Sequence, residues 1–85
     1  MNIDAIWEKI VSLEGERFFT ATKLEFTYKV NNNSLTTTRT NYPLSKRNFE
    51  KALEYMPLSG PSVINAVVRG PAYVYAILMD KRVCG

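Results

Sequence analysis

The side chains that could take part in chemistry are mostly cationic. Four polar residues lie close together near the predicted start of a helix: Arg39, Ser45, Lys46 and Arg47. Ser45 suits the N-cap position, where its hydroxyl accepts a backbone N–H. Positive charge in the first turn of a helix is unfavourable unless an anion binds there. The cluster therefore predicts an anion-binding site. Solvated charges tolerated at a helix end are the simpler alternative.

Other polar residues point to the same class of ligand. Lys29 is predicted to lie on the exposed face of a sheet among threonines, and lysine and threonine commonly contact phosphates. An exposed Tyr42 could stack on a base, although a half-buried turn residue is the alternative. The net charge of +3 permits a polyanionic partner. The predicted nucleic-acid- or anion-binding residues are Arg39, Ser45, Lys46, Arg47, Lys29 and Tyr42.

Catalytic chemistry finds little support in the sequence. The absence of histidine excludes Ser-His-Asp and Cys-His arrangements and removes the commonest transition-metal ligand. No Glu-x-Lys triplet occurs, and the four glycines stand too far apart for a phosphate-binding loop. Cys84 lies in a tail that is expected to fray, with no base beside it. We therefore expect a non-catalytic domain without a metal or cofactor.

Three predicted strands must position these side chains. Residues 24–30 alternate between apolar and polar types, which predicts a strand with one buried face. Residues 17–21 and 34–40 are rich in aromatic or β-branched types and form the flanking strands. The connections at 21–23 and 31–33 are short, and asparagine tolerates the left-handed conformation of tight hairpins. The sequence thus predicts a three-stranded antiparallel meander.

The alternation assigns side chains to two faces of the meander. The apolar face comprises Leu24, Phe26, Tyr28, Val30, Leu35 and one of Phe18 and Phe19. The polar face comprises Glu25, Thr27, Lys29, Thr36 and Thr38. The third strand is also a candidate free edge that could pair with another copy of the chain.

Helices are predicted on both sides of the meander. Residues 2–14 carry an apolar stripe of Ile3, Ile6, Trp7 and Ile10 with either Val11 or Leu13, and Asn2 can cap this helix. Residues 45–56 form a second helix with Phe49, Ala52, Leu53 and Met56 facing inward. A short third helix is expected between Pro61 and Val68. Residues 72–79 read as helix or buried strand, and Pro71 at a first helical position favours helix.

The fold class predicted is therefore α+β, in the order α-β-β-β-α-α-α, as one domain over residues 1–85. The single cysteine can form no internal disulfide, and the N-terminal residues lack a basic region followed by an apolar run, so we expect no signal peptide. No stretch approaches the roughly 20 apolar residues of a membrane span. These features favour a cytoplasmic protein without a membrane partner.

Two sets of residues resemble those of small uncharacterised bacterial domains, which tend to be encoded on mobile elements or near restriction functions. The first is Leu13-Glu14-Gly15, Phe19-Thr20-x-Thr22, Phe26-Thr27-Tyr28-x-Val30, Arg39 and Ser45-Lys46-x-x-Phe49-Glu50-x-Ala52-Leu53. The second is Arg69-Gly70-Pro71-Ala72-Tyr73 with Ile77-Leu78-x-Asp80-x-Arg82. The resemblance covers most of the chain. It implies a DNA-related role and names no catalytic residue. In such domains a glycine often stands where this chain has Lys23.

The leading hypothesis is a non-catalytic nucleic-acid-binding or accessory protein of a mobile element. The alternative is a homo-oligomeric protein-interaction module. Five tyrosines, four phenylalanines and a tryptophan are many for a small core. Aromatic side chains left at the surface favour protein contacts.

Overall fold

The computed structural model describes residues 2–84 and shows the predicted α+β class. Met1 and Gly85, the ends of the predicted domain, lie outside the described residues. The elements in chain order are α1 (Ile3–Ser12), β1 (Phe18–Phe19), β2 (Glu25–Phe26), β3 (Tyr28–Asn31), β4 (Ser34–Thr37), β5 (Leu44–Ser45), α2 (Lys46–Leu53), a 3-10 helix (Pro61–Ile64), α3 (Pro71–Leu78) and α4 (Lys81–Cys84).

The strands form a two-stranded and a three-stranded antiparallel sheet, in the orders β1-β2 and β3-β4-β5. The predicted strand 24–30 is divided at Thr27, whose N–H is bonded to the Thr38 hydroxyl at 3.2 Å. One half pairs with β1 and the other with β4. The three-stranded antiparallel sheet is present, but its third strand is β5, which the sequence did not predict.

The predicted third strand does not offer a free edge. It ends at Thr37, because the Thr40 N–H bonds the Thr37 carbonyl at 3.3 Å and closes a turn. Over Ser34 and Leu35 it lies between β3 and β5. The outer edge of β3 is also covered: the Glu14 carboxylate accepts the Val30 N–H at 2.6 Å. Edge-to-edge pairing through residues 34–40 is therefore not supported by this arrangement.

Both hairpin loops lie where the sequence predicted them. The Thr20 N–H bonds the Leu24 carbonyl at 3.0 Å and closes a three-residue loop over 21–23. In β3–β4, Asn31 pairs with Ser34 and Asn32 has φ 56°. Lys23 also adopts a left-handed conformation, with φ 69°. A three-residue hairpin loop commonly ends on such a residue, usually glycine.

We expect Lys23→Gly to stabilise the protein by about 0.5–1 kcal/mol. Glycine avoids the steric penalty of about 1–2 kcal/mol for the left-handed conformation. The greater entropy of glycine in the unfolded state cancels part of that gain. Urea unfolding measures the difference. The matched control is Ala21→Gly in the same loop, which has no positive φ to relieve and should lower stability. A loss of stability in Lys23→Gly would contradict the assigned loop geometry.

The helices follow their apolar stripes. Asn2 caps α1 by accepting the Asp4 N–H at 2.8 Å. Ile6, Trp7 and Ile10 are buried, and Leu13 is half-buried while Val11 is exposed, so Leu13 completes the stripe. In α2, Phe49 and Ala52 are buried, with Leu53 and Met56 partly buried against the same core.

The structure decides between helix and strand for the apolar segment near the C-terminus. Residues 71–78 form helix α3, with Val74, Ile77 and Leu78 buried, so the strand alternative is wrong. The predicted helix 61–68 is shorter: the 3-10 helix ends at Ile64 and turns follow. Three of the four residues that follow it, Asn65, Val67 and Val68, are poor helix formers.

One core joins these elements, and the sheets contribute alternate residues to it. Phe18, Phe26, Tyr28 and Leu35 are buried as predicted, with Val30 partly buried. Leu24 was predicted to be buried and is 46% exposed. Its N–H and carbonyl both bond Thr20 at the base of the hairpin loop, so it does not lie over the core. Phe18 is the buried member of the early pair, and Phe19 is exposed.

Candidate nucleic-acid interface

At the start of α2, a carboxylate of the same chain already pairs with one of the cationic side chains. The Ser45 hydroxyl caps the helix by accepting the Asn48 N–H at 3.3 Å. The Lys46 ammonium lies 2.7 Å from a carboxylate oxygen of Asp4, in the first turn of α1. The basic first turn of α2 is therefore compensated by a residue 42 positions away, and Lys46 is not free for an external phosphate in this arrangement.

Arg47 remains exposed beside that ion pair. The groove at this place has a volume of about 520 Å³. It is lined by Ile3, Asp4, Asn33, Ser45, Lys46, Arg47 and Glu50. Two carboxylates and two cations share this groove, so it presents little net positive charge to a polyanion.

Arg39 and Tyr42 do not join the α2 cluster. Ser45 pairs with Ser34 at one end of β4, whereas Arg39 lies in the turn after the other end at Thr37, which is about 10 Å along the strand at 3.3 Å per residue. The Arg39 Nε donates to the Glu25 carbonyl at 2.8 Å. Tyr42 is half-buried, and the Arg69 guanidinium lies 4.8 Å from its ring centroid. The predicted set of six residues thus occupies separate surfaces.

The predicted polar face of the sheet is present. Lys29 lies opposite Thr36 in the β3–β4 register, and both are exposed. Thr38 is exposed and Thr27 is half-buried. Tyr28, which lies between Thr27 and Lys29 in the chain, points to the core. A shallow groove of about 250 Å³ runs between Thr27–Lys29 and Thr36–Thr38. Threonines and Lys29 belong to its lining, but most of the surface that they expose to the groove is apolar.

This face continues onto the first hairpin. Exposure alternates without a break from Glu25 to Lys29, so the side chains of Glu25, Thr27 and Lys29 lie on one side. Glu25 pairs with Phe19, which is 54% exposed. We call the whole surface the outer face. It comprises Phe19, Glu25, Thr27, Lys29, Thr36 and Thr38.

Phe19 is the surface residue that the sequence left undecided. Two successive residues of a strand face opposite sides, so only one of Phe18 and Phe19 could be buried. The choice depends on which side of the hairpin meets the core. Phe18 stacks on Phe26 with centroids 5.9 Å apart and lies 5.3 Å from Tyr28, which leaves Phe19 outside.

Cations outnumber anions around the outer face. The Glu25 carboxylate lies 3.9 Å from the Arg17 Nε, so a cation partly offsets it. Among residues 2–84, neither Lys29 nor Arg39 takes part in an ion pair. Their charges remain available to an anionic ligand.

Arg82 has a structural role, although it is also a cation near β1. Its guanidinium bonds Asp80 at 2.9 Å and the Arg17 carbonyl at 2.8 Å, and lies 4.4 Å from the Phe18 ring centroid. The hydrogen bond from Arg82 lowers the pKa of Asp80. These contacts hold α4 against β1. Arg82 remains exposed and Asp80 is half-buried, so both hold α4 in place from the surface.

Two further features concern the lone cysteine and the possible metal ligands. Cys84 is half-buried in α4 rather than frayed, and burial raises the pKa of its thiol, which disfavours the reactive thiolate. Within residues 2–84, no three His, Cys, Asp or Glu side chains come together as metal ligands. In the same range, no helix has the length and apolar character that crossing a membrane requires.

The chain was compared with known proteins at three levels. No protein-family model matches it, and neither a curated protein nor a solved structure is detectably similar to it.

Proposed function

We propose that this chain is a non-catalytic domain that binds nucleic acid through its outer face. The observation that supports it best is the continuous exposed surface on which Lys29 and the threonine hydroxyls lie together. Arg39 borders this surface through its bond to the Glu25 carbonyl. An accessory role on a mobile element rests on the sequence resemblance alone.

The chemistry of this surface suits a sugar-phosphate backbone. Ammonium and guanidinium groups neutralise phosphates and release counterions, which makes binding depend on salt. Threonine hydroxyls donate to phosphate oxygens without reading sequence. The proposed contacts are Lys29 and Arg39 on phosphates, with Thr27, Thr36 and Thr38 between them. Arg47 is a further exposed cation on a different surface.

The test measures the binding of labelled oligonucleotides by fluorescence anisotropy at several salt concentrations. We expect Lys29→Ala to weaken binding several-fold and to reduce the slope of log affinity against log salt by about 0.7–0.9. The charge-matched control is Lys81→Ala, at an exposed position in α4. Equal effects of the two changes would contradict a localised interface.

A pair of double variants separates the two cationic surfaces. Lys29→Ala with Arg39→Ala removes two charges at the outer face, and Lys46→Ala with Arg47→Ala removes two at the start of α2. The proposal expects the larger loss of affinity from the first pair, because Lys46 already pairs with Asp4. A larger loss from the second pair would move the site to α2. Absence of any salt-dependent binding by the wild-type chain would remove the proposed function.

Self-association is the second candidate, and one observation favours it. An apolar groove of about 380 Å³ is lined by Leu53, Met56, Pro57, Leu78, Met79 and Cys84. Met79 in this lining is 41% exposed, and Tyr55, which precedes Met56 in the chain, is 46% exposed. A second copy of the chain could cover these side chains. A molar mass that rises with protein concentration, with no effect of added polyanion, would favour this reading over the first.

A further inference from the structure

The exposed Phe19 is not explained by phosphate binding. Its neighbour Phe18 is fully buried, yet more than half of the Phe19 side chain meets solvent. A phenyl ring cannot donate to or accept from a phosphate, and its partial exposure forfeits about half of the roughly 1.5–3 kcal/mol that full burial would contribute. A ligand that offers an apolar, flat surface would recover that contribution.

The surroundings of Phe19 indicate what kind of flat surface this is. Phe19 pairs with Glu25, and two arginines reach that residue: Arg17 through its carboxylate and Arg39 through its backbone carbonyl. Lys29 lies four residues further along the same side, about 13 Å from Glu25 at 3.3 Å per residue. An aromatic ring on a surface with three cations and one ion-paired carboxylate fits a chain of phosphates that carries flat rings.

Resting on the proposed function, we propose that the nucleic acid is single-stranded and that an unpaired base stacks on the Phe19 ring. In a duplex each base is covered by its neighbours and presents only its edge in a groove. In a single strand the face of a base is accessible, and proteins that bind single strands combine a basic surface with exposed aromatic side chains. Every base has such a face, so the contact is tolerant of sequence.

The experiment compares single-stranded and duplex oligonucleotides of the same sequence against three variants at one position. Phe19→Ala removes the ring, Phe19→Leu keeps apolar bulk without an aromatic face, and Phe19→Tyr keeps the ring. We expect Phe19→Ala and Phe19→Leu to weaken single-strand binding by about tenfold. Phe19→Tyr should stay close to wild type, and duplex binding should be weaker than single-strand binding and insensitive to all three changes.

A fluorescent variant gives an independent readout. The chain has one tryptophan, Trp7, and it is buried against Phe49. Phe19→Trp therefore adds an exposed reporter, whose emission should be quenched by single strands and not by duplex. This readout also decides the matter if Phe19→Ala fails to fold.

The outcomes distinguish the two proposals. If Lys29→Ala weakens salt-dependent binding while Phe19→Ala and Phe19→Leu bind single strands as wild type does, stacking is wrong and the interface stands. If Phe19→Leu alone retains affinity, or duplex is preferred, the stacking inference is likewise overturned. If wild type binds neither nucleic acid, both proposals fail.

Discussion

Replacing Phe49 by alanine is expected to remove about 3–5 kcal/mol of folding free energy. Phe49 is completely buried, and its ring centroid lies 5.6 Å from that of Trp7, so it joins α2 to α1. A chain of 85 residues has a total stability of only about 4–13 kcal/mol. The variant should therefore lose a large share of its stability, and with a total near the low end of this range it would be partly unfolded at ambient temperature. Urea unfolding followed by far-UV circular dichroism measures the loss, and Trp7 emission reports the same contact.

Two other variants make this result interpretable. Phe49→Leu keeps an apolar side chain in the core and leaves a smaller cavity than alanine does, so it should lose less stability than Phe49→Ala. Lys51→Ala changes an exposed position of the same helix and should be close to neutral. A loss below about 1 kcal/mol in Phe49→Ala would mean that the α1–α2 contact is not part of the core.

Tyr28→Phe is expected to destabilise the protein by about 1–2 kcal/mol at neutral pH. Tyr28 is almost fully buried in β3, and its hydroxyl donates to the Ile10 carbonyl in the last turn of α1. Phenylalanine fills the same space without the donor. The Ile10 carbonyl keeps a bond from the Leu13 N–H at 3.2 Å, so the loss stays below that of a fully orphaned acceptor. Urea unfolding at pH 7 checks the value, and unchanged stability would contradict the buried hydrogen bond.

The same hydroxyl predicts how stability depends on alkaline pH. Burial raises the pKa of Tyr28 well above its ordinary value of about 10, with smaller contributions from neighbouring charges. The folded state therefore holds the proton more tightly than the unfolded state. The contribution of the Tyr28 hydroxyl to folding stability is fully present below about pH 10. It is lost as pH rises beyond that value, by up to about 1.4 kcal/mol per pH unit. Wild type should lose stability between pH 9.5 and about 11 more steeply than Tyr28→Phe. Parallel curves for the two proteins would show that this group is accessible in the folded state.

Local patterns in the sequence determined much of the architecture. The apolar stripe of residues 2–14, the Ser45 cap and the alternation from Glu25 to Val30 each depend on neighbours within one turn or one strand. The physical rules that govern them act over the same short distance: 3.6 residues for a helix, two for a strand, and the left-handed tolerance of asparagine at Asn32. The polar face of the sheet follows from the same rule, so Lys29 and Thr36 were placed correctly.

Contacts between distant segments decided the rest. From the sequence alone, either Phe18 or Phe19 could be the buried residue. Only packing against Phe26 and Tyr28 selects Phe18. The Lys46–Asp4 ion pair joins α2 to α1 across 42 positions, so no local pattern predicts that the basic helix start is compensated. The β4–β5 register likewise sends Arg39 and Ser45 to opposite ends of one strand, although they are close in sequence.

The sequence by itself therefore determined the class of fold and the chemical character of each face, because periodicity and capping are local properties of the chain. The tertiary structure alone decided which cations remain available and which aromatic side chain is exposed. Both depend on long-range contacts: an ion pair occupies Lys46, and packing against the core selects Phe18, which leaves Phe19 on the outer face.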